Sequence, residues 1–510
     1  MLKNIKLRNA YINHNKKIFA KRHNLSVNKI LIELNYLCES HIVYSYLANI
    51  LAEKHNAEIT SYRPNFFQKN LRSLLSRFIK KIVNHENSIY SSFGTKKNII
   101  PKKKYCKKIE KIFYNQLKKI NSKSDILKVR CENINIGDLI YDGFLRKYDV
   151  PTIEINSNLF ESYFKDFLYL FYFWFHYFKK NKVKAVIVSH AAYEFAIPLR
   201  IAINKKIDAF TASTFGIYRH SQKNQNVFDM KYYEQYFSKK KNKKELLRKA
   251  KKLIDLKFSG YRTIENKCSQ FPKDNLFKNI KYKNKILTQN NKKNILIAAH
   301  HFSDNPNVYG RFLFSDYYEW IDFLGKKSNN SKYNWYIKFH PLEFDFNKKI
   351  AEYFLEKYRN IKLIPNNIKH SQLISEGIDL VLTVNGTIGF EYAYFGKHVI
   401  NAGLNNPHIA YNFNYHSKSI SNYEYAIDNF SKLKLNFKKE QFYKYFYMRY
   451  LDSFYLFSDE LDNNEDISFY QTPQVYQKWL NSYNKTIEKK IREHITNFIL
   501  SRNYRCSRMY

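Results

Sequence analysis

The chain has 510 residues, 44% hydrophobic and 17% aromatic, which excludes a disordered polypeptide and exceeds what one ordinary core accommodates. Lys and Arg number 87 against 44 Asp and Glu, a formal charge of +43 that favours anionic partners: nucleic acid, phosphate-rich ligands or an anionic membrane surface. The basic residues are dispersed rather than gathered in one arm. Lys, Asn, Ile, Tyr and Phe are abundant, as AT-rich codon bias produces, so much of the charge belongs to solvated faces.

Residues 1–20 are basic and polar, without the apolar stretch of a signal peptide. Five scattered cysteines, with no CxxC pair or zinc spacing, indicate a reducing compartment, so the expected location is the cytoplasm, with peripheral contact to the inner face of the membrane as an option. A short apolar run at 29–34 (KILIEL), a polar turn at 35–41, a periodic segment at 42–52 and a β-type run at 57–60 form a βαβ opening. A helix is expected at 71–82, a loop entering a helix at 133–148 and a strand at 151–155. The run 167–178 (FLYLFYFWFHYF) is shorter than the ~20 residues that span a bilayer. Lys165, Asp166, Lys179 and Lys180 bound it, so it reads as a buried helix, with a membrane-surface helix as the second reading. Strands at 183–189 and 207–211 flank helical periodicity at 194–203, and 239–293 is charged and Asn-rich, fitting a helix and a linker.

A second series begins at 294. Strands at 295–299, 335–339, 361–364, 380–384 and 398–401 alternate with helices at 316–325, 344–358, 370–376 and 387–395. Two successive α/β halves follow: an N-terminal Rossmann-like domain at 1–285, a second at 286–480 and a basic, initially helical tail at 481–510.

The main chemical signal is LVLTVNGTIGFE at 380–391, a strand running through small residues into a helix. Thr383, Asn385, Gly386, Thr387 and Gly389 let backbone approach a ligand, and unpaired amides at a helix start favour phosphate; Glu391, one turn inside, is placed to accept hydrogen bonds from a ribose. The strand in WYIKFHP delivers Lys338 and His340 to its C-terminal end, where open α/β sheets bind ligands, and Pro341 stiffens the turn. The segment AAHHFSDNPNVYG supplies His300, His301, Ser303, Asp304 and Tyr309, expected to share a crevice with His340 and Thr387. Adjacent strand histidines point to opposite faces and no HExxH pattern accompanies them, so no metal site is expected. In the first half Glu39 or His41 is the candidate general base for an acceptor hydroxyl; Asp138, Asp142, His190, Tyr193 and Glu194 are further polar groups. Walker, GxSxG and GxGxxG motifs are absent.

Taken together, LVLTVNGTIGFEYAYFGKHVINAG, YIKFHP and AAHHFSDNP resemble bacterial capsule and surface-polysaccharide biosynthesis proteins, the group that includes the capsular Kdo transferases. More remotely they resemble CDP-glycerol glycerophosphotransferases. The resemblance covers about 294–414, with His398 where the family has proline and no Gly-rich acceptor loop near the N-terminus. It implies a GT-B fold, two Rossmann-like domains facing across a cleft, and a metal-independent glycosyltransferase. No cofactor would be permanently bound; the donor would be a nucleotide-activated sugar held by the C-terminal half, and the acceptor a glycan or glycolipid. On that reading His340 and the elbow at Thr387 share an anion pocket. The alternatives are a sugar-nucleotide 2-epimerase, which would need no acceptor, an inactive transferase acting as a scaffold, and a nucleic-acid-binding protein. The last is disfavoured by the dispersed charge and the absence of RRM, KH or zinc-finger signatures.

Overall fold

The computed structural model describes residues 2–19, 26–66, 87–213, 216–226, 230–261, 277, 284–310, 312–340, 348–452 and 472–507. The helix expected at 71–82 and Pro341 lie outside the described residues. The chain forms two units: Met1–Gly143, Glu154–Asn226 and Ser453–Tyr510 make the first, and Phe144–Ile153 with Val227–Asp452 the second. The sequence boundaries are corrected accordingly. Residues 453–510 belong to the first unit, so 481–510 is not a separate tail, and residues 144–153 and 227–285, expected in the N-terminal domain, belong to the second.

In the first unit the strands are β1 (Asn28–Glu33), β2 (Ala57–Tyr62), β3 (Thr95–Ile99), a small hairpin β4 (Arg130–Cys131) and β5 (Ile134–Asn135), β6 (Lys182–Val188), β7 (Asp208–Ser213) and β8 (Gly216–His220). The main sheet runs β3-β2-β1-β6-β7-β8 and is parallel except for β8, which pairs antiparallel with β7. Ile30, Leu31 and Ile32 of the central strand are fully buried, as a parallel strand covered on both faces requires. One face carries the helix Cys38–His55, whose Tyr44, Leu47 and Leu51 pack with Tyr476 and Trp479 of Gln474–Ser482 and Ile491 and Ile495 of Lys485–Ser501. Tyr11 of the helix Leu2–Phe19 stacks on Tyr476 with centroids 4.3 Å apart. The aromatic run lies within the helix Asn158–Lys180, capped by Ser157, which accepts from the Phe160 amide. Phe167, Leu168, Leu170, Phe171, Trp174, Phe175 and Phe178 are all buried, so this helix belongs to the core. No helix among the described residues is long and apolar enough to cross a membrane. Residues 151–155, expected as a strand, form none; the Thr152 hydroxyl instead donates to Asp316 at 2.6 Å.

The second unit contains β9 (Asn294–Ala298), β10 (Asn334–Lys338), β11 (Ile361–Leu363), β12 (Ile378–Thr383), β13 (His398–Asn401) and β14 (Tyr415–His416). All pair in parallel in the order β11-β10-β9-β12-β13-β14, the 3-2-1-4-5-6 order of a dinucleotide-binding sheet. Asp316 caps the helix Tyr317–Asn329 by accepting from the Glu319 amide at 2.8 Å, and that helix buries Trp320, Ile321 and Leu324 against the sheet. Both units are therefore α/β and Rossmann-like.

Candidate functional site

In the second unit β9 and β12 are neighbours, and successive strands are added on opposite sides of the pair, so a crevice opens beyond their C-terminal ends. His300, two residues past β9, stacks on Tyr317 with ring centroids 4.6 Å apart. Its Nε2 accepts from the backbone amides of Val384 (3.2 Å) and Asn385 (3.4 Å) and lies 3.2 Å from Thr383 Oγ1. An amide can only donate, so Nε2 is unprotonated and the ring is the neutral Nδ1–H tautomer. Burial first, and then the neighbouring His340, pull its pKa down to about 3. His300 thus ties the end of β9 to the elbow after β12. Thr383, fully buried against it, belongs to the same tie.

Around this tie lies a cavity of about 340 Å³ lined by Arg146, His300, His301, Ser303, Asp304, Asn305, Tyr309, Tyr317, His340 and Asn385. The His301 and His340 rings sit 6.2 Å apart, edge to face. The Ser303 hydroxyl donates to Asp149 at 2.8 Å, with His301 Nδ1 at 3.3 Å. Arg146 and Asp304 lie 3.6 Å apart and are each more than half exposed, a pairing that water screens heavily. The Tyr309 phenol is pushed up by burial, with Arg449 opposing from a five-residue π-helical turn, Tyr447–Leu451. The Arg146 guanidinium offsets the Asp304 carboxylate and His300 is neutral, so what the wall offers an anion is its N–H and O–H groups rather than net positive charge.

The elbow adds donors beside it. Asn385 lines the cavity, Thr387 is exposed, and among the described residues the amides of Gly386, Thr387 and Ile388 make no hydrogen bond to protein. A side chain on Gly386 would place Cβ 3.0 Å from Thr383 Oγ1 and 3.4 Å from His300, crowding the tie. Gly389 serves a different purpose from the one expected. Its amide donates to Gly386 O at 3.1 Å, and a Cβ would lie 2.8 Å from His408 Cε1, so its small size seats the helix Ile388–Tyr394 against the protein.

Two further expectations are corrected. Glu391 reaches Lys257 of the helix Lys243–Phe258, Oε1 to Nζ 2.8 Å, with the side chains 8% and 1% exposed; its carboxylate is committed to a buried ion pair rather than offered to a ribose. Lys338 donates to the carbonyls of Pro365, Asn366 and Ile368 at 2.9, 3.1 and 3.1 Å. Burial pulls its pKa down to about 8, still charged at neutrality, and the ammonium holds the loop after β11 instead of facing a donor.

In the first unit His41 is 1% exposed, with Nδ1 2.6 Å from the Tyr476 hydroxyl and Nε2 3.0 Å from the Asn35 carbonyl. The carbonyl fixes Nε2 as donor and Nδ1 as acceptor, and burial holds the pKa at about 4. Both nitrogens are engaged in the core, which removes His41 as a general base. Glu39, in the first turn of its helix, is buried with Oε2 lacking a partner among the described residues, and burial raises its pKa to about 7. At the switch point of this sheet Glu33 accepts from the Ser189 amide at 2.6 Å and from the Ser189 hydroxyl, whose oxygen lies 2.8 Å from His190 Nδ1. Asp138 pairs with the buried Arg200, and Glu194 accepts from the Tyr163 hydroxyl at 2.8 Å. Asp142 and Tyr193 are buried.

Sequence reasoning missed Arg146, Tyr317, Lys257 and Glu33. Arg146 and Lys257 come from segments assigned to other parts of the chain and carry no local signal. Glu33 does, as a carboxylate ending an otherwise apolar strand. Among the described residues no group of three His, Cys, Asp or Glu side chains is placed to hold a metal ion.

No family model matches the chain, and no curated protein matches it. Among solved structures it is similar to the UDP-GlcNAc 2-epimerase of Neisseria meningitidis bound to UDP-GlcNAc, with 12% identity over 89% of this chain and 100% of that one, TM-score 0.21. It is also similar to a glycosyltransferase from Rickettsia africae ESF-5, with 12% identity over 91% of this chain and 100% of that one, TM-score 0.23. A third similar structure is the wall teichoic acid polymerase TagF, with 13% identity over 96% of each chain and a TM-score of 0.21.

Proposed function

We propose that the chain is a glycosyltransferase of the GT-B kind, moving a sugar or polyol phosphate from a nucleotide-activated donor to a surface polysaccharide or its lipid-linked precursor. The observation that carries this reading is the cavity at the β9/β12 switch point, where His340, His301, Arg146 and the elbow residue Asn385 meet. A departing nucleotide phosphate gains negative charge as the bond to the sugar breaks. Fixed donors aimed at that charge are usually the largest catalytic contribution. His340 and the amides of Gly386 to Ile388 are assigned that task, with His301 and Arg146 on the remaining phosphate oxygens. Glu39 is assigned the acceptor proton, a role its pKa near 7 suits.

Thermal-shift measurements with CMP, CDP, UDP, GDP and dTDP test the donor assignment, because a ligand that binds only the folded state raises its stability. At least one of these nucleotides is expected to raise the midpoint of the wild-type chain, and His340→Ala should abolish that shift without lowering the ligand-free midpoint. If none of the five binds, or if His340→Ala binds as the wild type does, the reading fails.

A further inference from the structure

The aromatic helix Asn158–Lys180 is buried, but it presents a different segment to solvent. Ile109 and Phe113 of the helix Lys107–Leu117 pack on it, with Phe113 and Phe164 centroids 5.6 Å apart. The Tyr169 hydroxyl accepts from the Cys106 amide at 3.3 Å and donates to Glu110 at 2.8 Å; Lys165 also pairs with Glu110 at 2.8 Å. The inner side of this segment is thereby fastened, and the one carboxylate within residues 96–119 is neutralised from beneath.

The outer side is different. Between 96 and 119 stand ten lysines, at 96, 97, 102, 103, 104, 107, 108, 111, 118 and 119, every one exposed. Among them Tyr105 is 69% exposed, Tyr114 53% and Ile100 40%. The other lysine-rich helix, Lys243–Phe258, lacks this combination. Both segments carry paired lysines, Lys249 with Glu245 and Lys251 with Asp255 here, Lys97 with Glu58 and Lys103 with Asp166 in 96–119, but none of the large exposed hydrophobic residues lies on this helix.

We infer that the surface formed by residues 96–119 docks the protein on an anionic lipid bilayer. Lysines near such a surface gain from its negative potential, and tyrosine rings settle at the headgroup level with an apolar body and a polar tip. An aliphatic residue beside them finds hydrocarbon just below the charged layer, whereas a polyphosphate strand offers Ile100 nothing. Lipid docking is a property of the first unit and is separate from nucleotide binding in the second, so either can fail without the other.

The test is co-sedimentation of the full chain with phosphatidylcholine vesicles, with and without phosphatidylglycerol. One variant carries Lys→Gln at 102, 103, 104, 107, 108 and 111. A control of equal net charge carries Lys→Gln at 243, 244, 249, 251 and 252 with Arg248→Gln. A third, Tyr105→Ser with Tyr114→Ser, leaves charge unchanged. The first should lose vesicle partitioning by at least on the order of tenfold, given that each surface lysine contributes severalfold, with the control far less affected. The tyrosine pair should lose about threefold, and thermal midpoints should be unaltered because every substituted side chain is exposed. Equal losses in the two charge variants would reduce the effect to net charge and overturn the assignment. So would binding that ignores phosphatidylglycerol, or a first variant that keeps its vesicles while losing affinity for a short single-stranded RNA.

Discussion

Replacing Glu391 by Ala leaves the Lys257 ammonium, 1% exposed, without the carboxylate that stood 2.8 Å away. Removing one member of a buried ion pair costs about 3–5 kcal/mol, because the remaining charge stays desolvated without its counter-charge. At about 2–4 °C per kcal/mol for a unit of this size, the thermal midpoint should fall by roughly 6–20 °C. Adding Lys257→Met removes the stranded charge, so the double variant should recover the part of the loss due to that charge and keep only the cost of the space alanine leaves. Scanning calorimetry on the wild type, both single variants and the double gives the coupling directly. If Glu391→Ala melts within about one degree of the wild type while losing nucleotide affinity, the ion-pair reasoning is refuted and the ribose role returns.

Lys338→Met should lower the midpoint by an amount equivalent to about 1–3 kcal/mol, the cost of orphaning the carbonyls of residues 365, 366 and 368, and leave nucleotide affinity in titration calorimetry unchanged. Gly389→Ala forces its Cβ toward His408, 2.8 Å away, and Asn414, 2.9 Å away, so urea unfolding should show a loss of about 1–3 kcal/mol. Burial raises Glu39 from 4.5 to about 7, so the fold favours its protonated form; that contribution is complete below 4.5 and is lost as pH rises through 7. Glu39→Gln, fixed in the neutral form, should therefore match the wild type in acid and exceed it above neutrality by roughly 3 kcal/mol in urea titrations. Burial lowers His41 to about 4 and His300 and His370 to about 3, so their contributions are present above 6.5 and lost as pH falls toward those values. Thermal midpoints across a buffer series should decline below 6.5, and less steeply in His41→Gln.

The second sheet was legible because its strands are short apolar runs buried on both faces, as Ile295 to Ile297 and Leu380 to Leu382 are. Edge strands were not. β3 reads TKKNI, and its lysines project into solvent, the usual protection of an open edge, so it lacks the apolar signature of a strand. The elbow and the His340 turn were visible as small residues and a histidine at strand ends. What those residues face was not visible, because it depends on partners far away in sequence. Lys257 and Glu391 are 134 positions apart, His41 and Tyr476 are 435, and neither pairing leaves a periodic trace. A buried, satisfied histidine such as His41 and a cavity-lining one such as His340 read alike until their neighbours are known.

The helices Gln474–Ser482 and Lys485–Ser501 supply Trp479, Ile491 and Ile495 to the core built around β1 and the helix Cys38–His55, with residues 227–452 intervening in the chain. A ribosome making this protein therefore finishes the second unit while the first still lacks part of its hydrophobic filling. At about 5–20 residues per second the early half waits tens of seconds for its last helices. Through that interval the apolar faces of Tyr11, Tyr46 and Leu47 stand uncovered, which makes the nascent chain a natural client for chaperones and a premature stop near residue 470 more damaging than its position suggests.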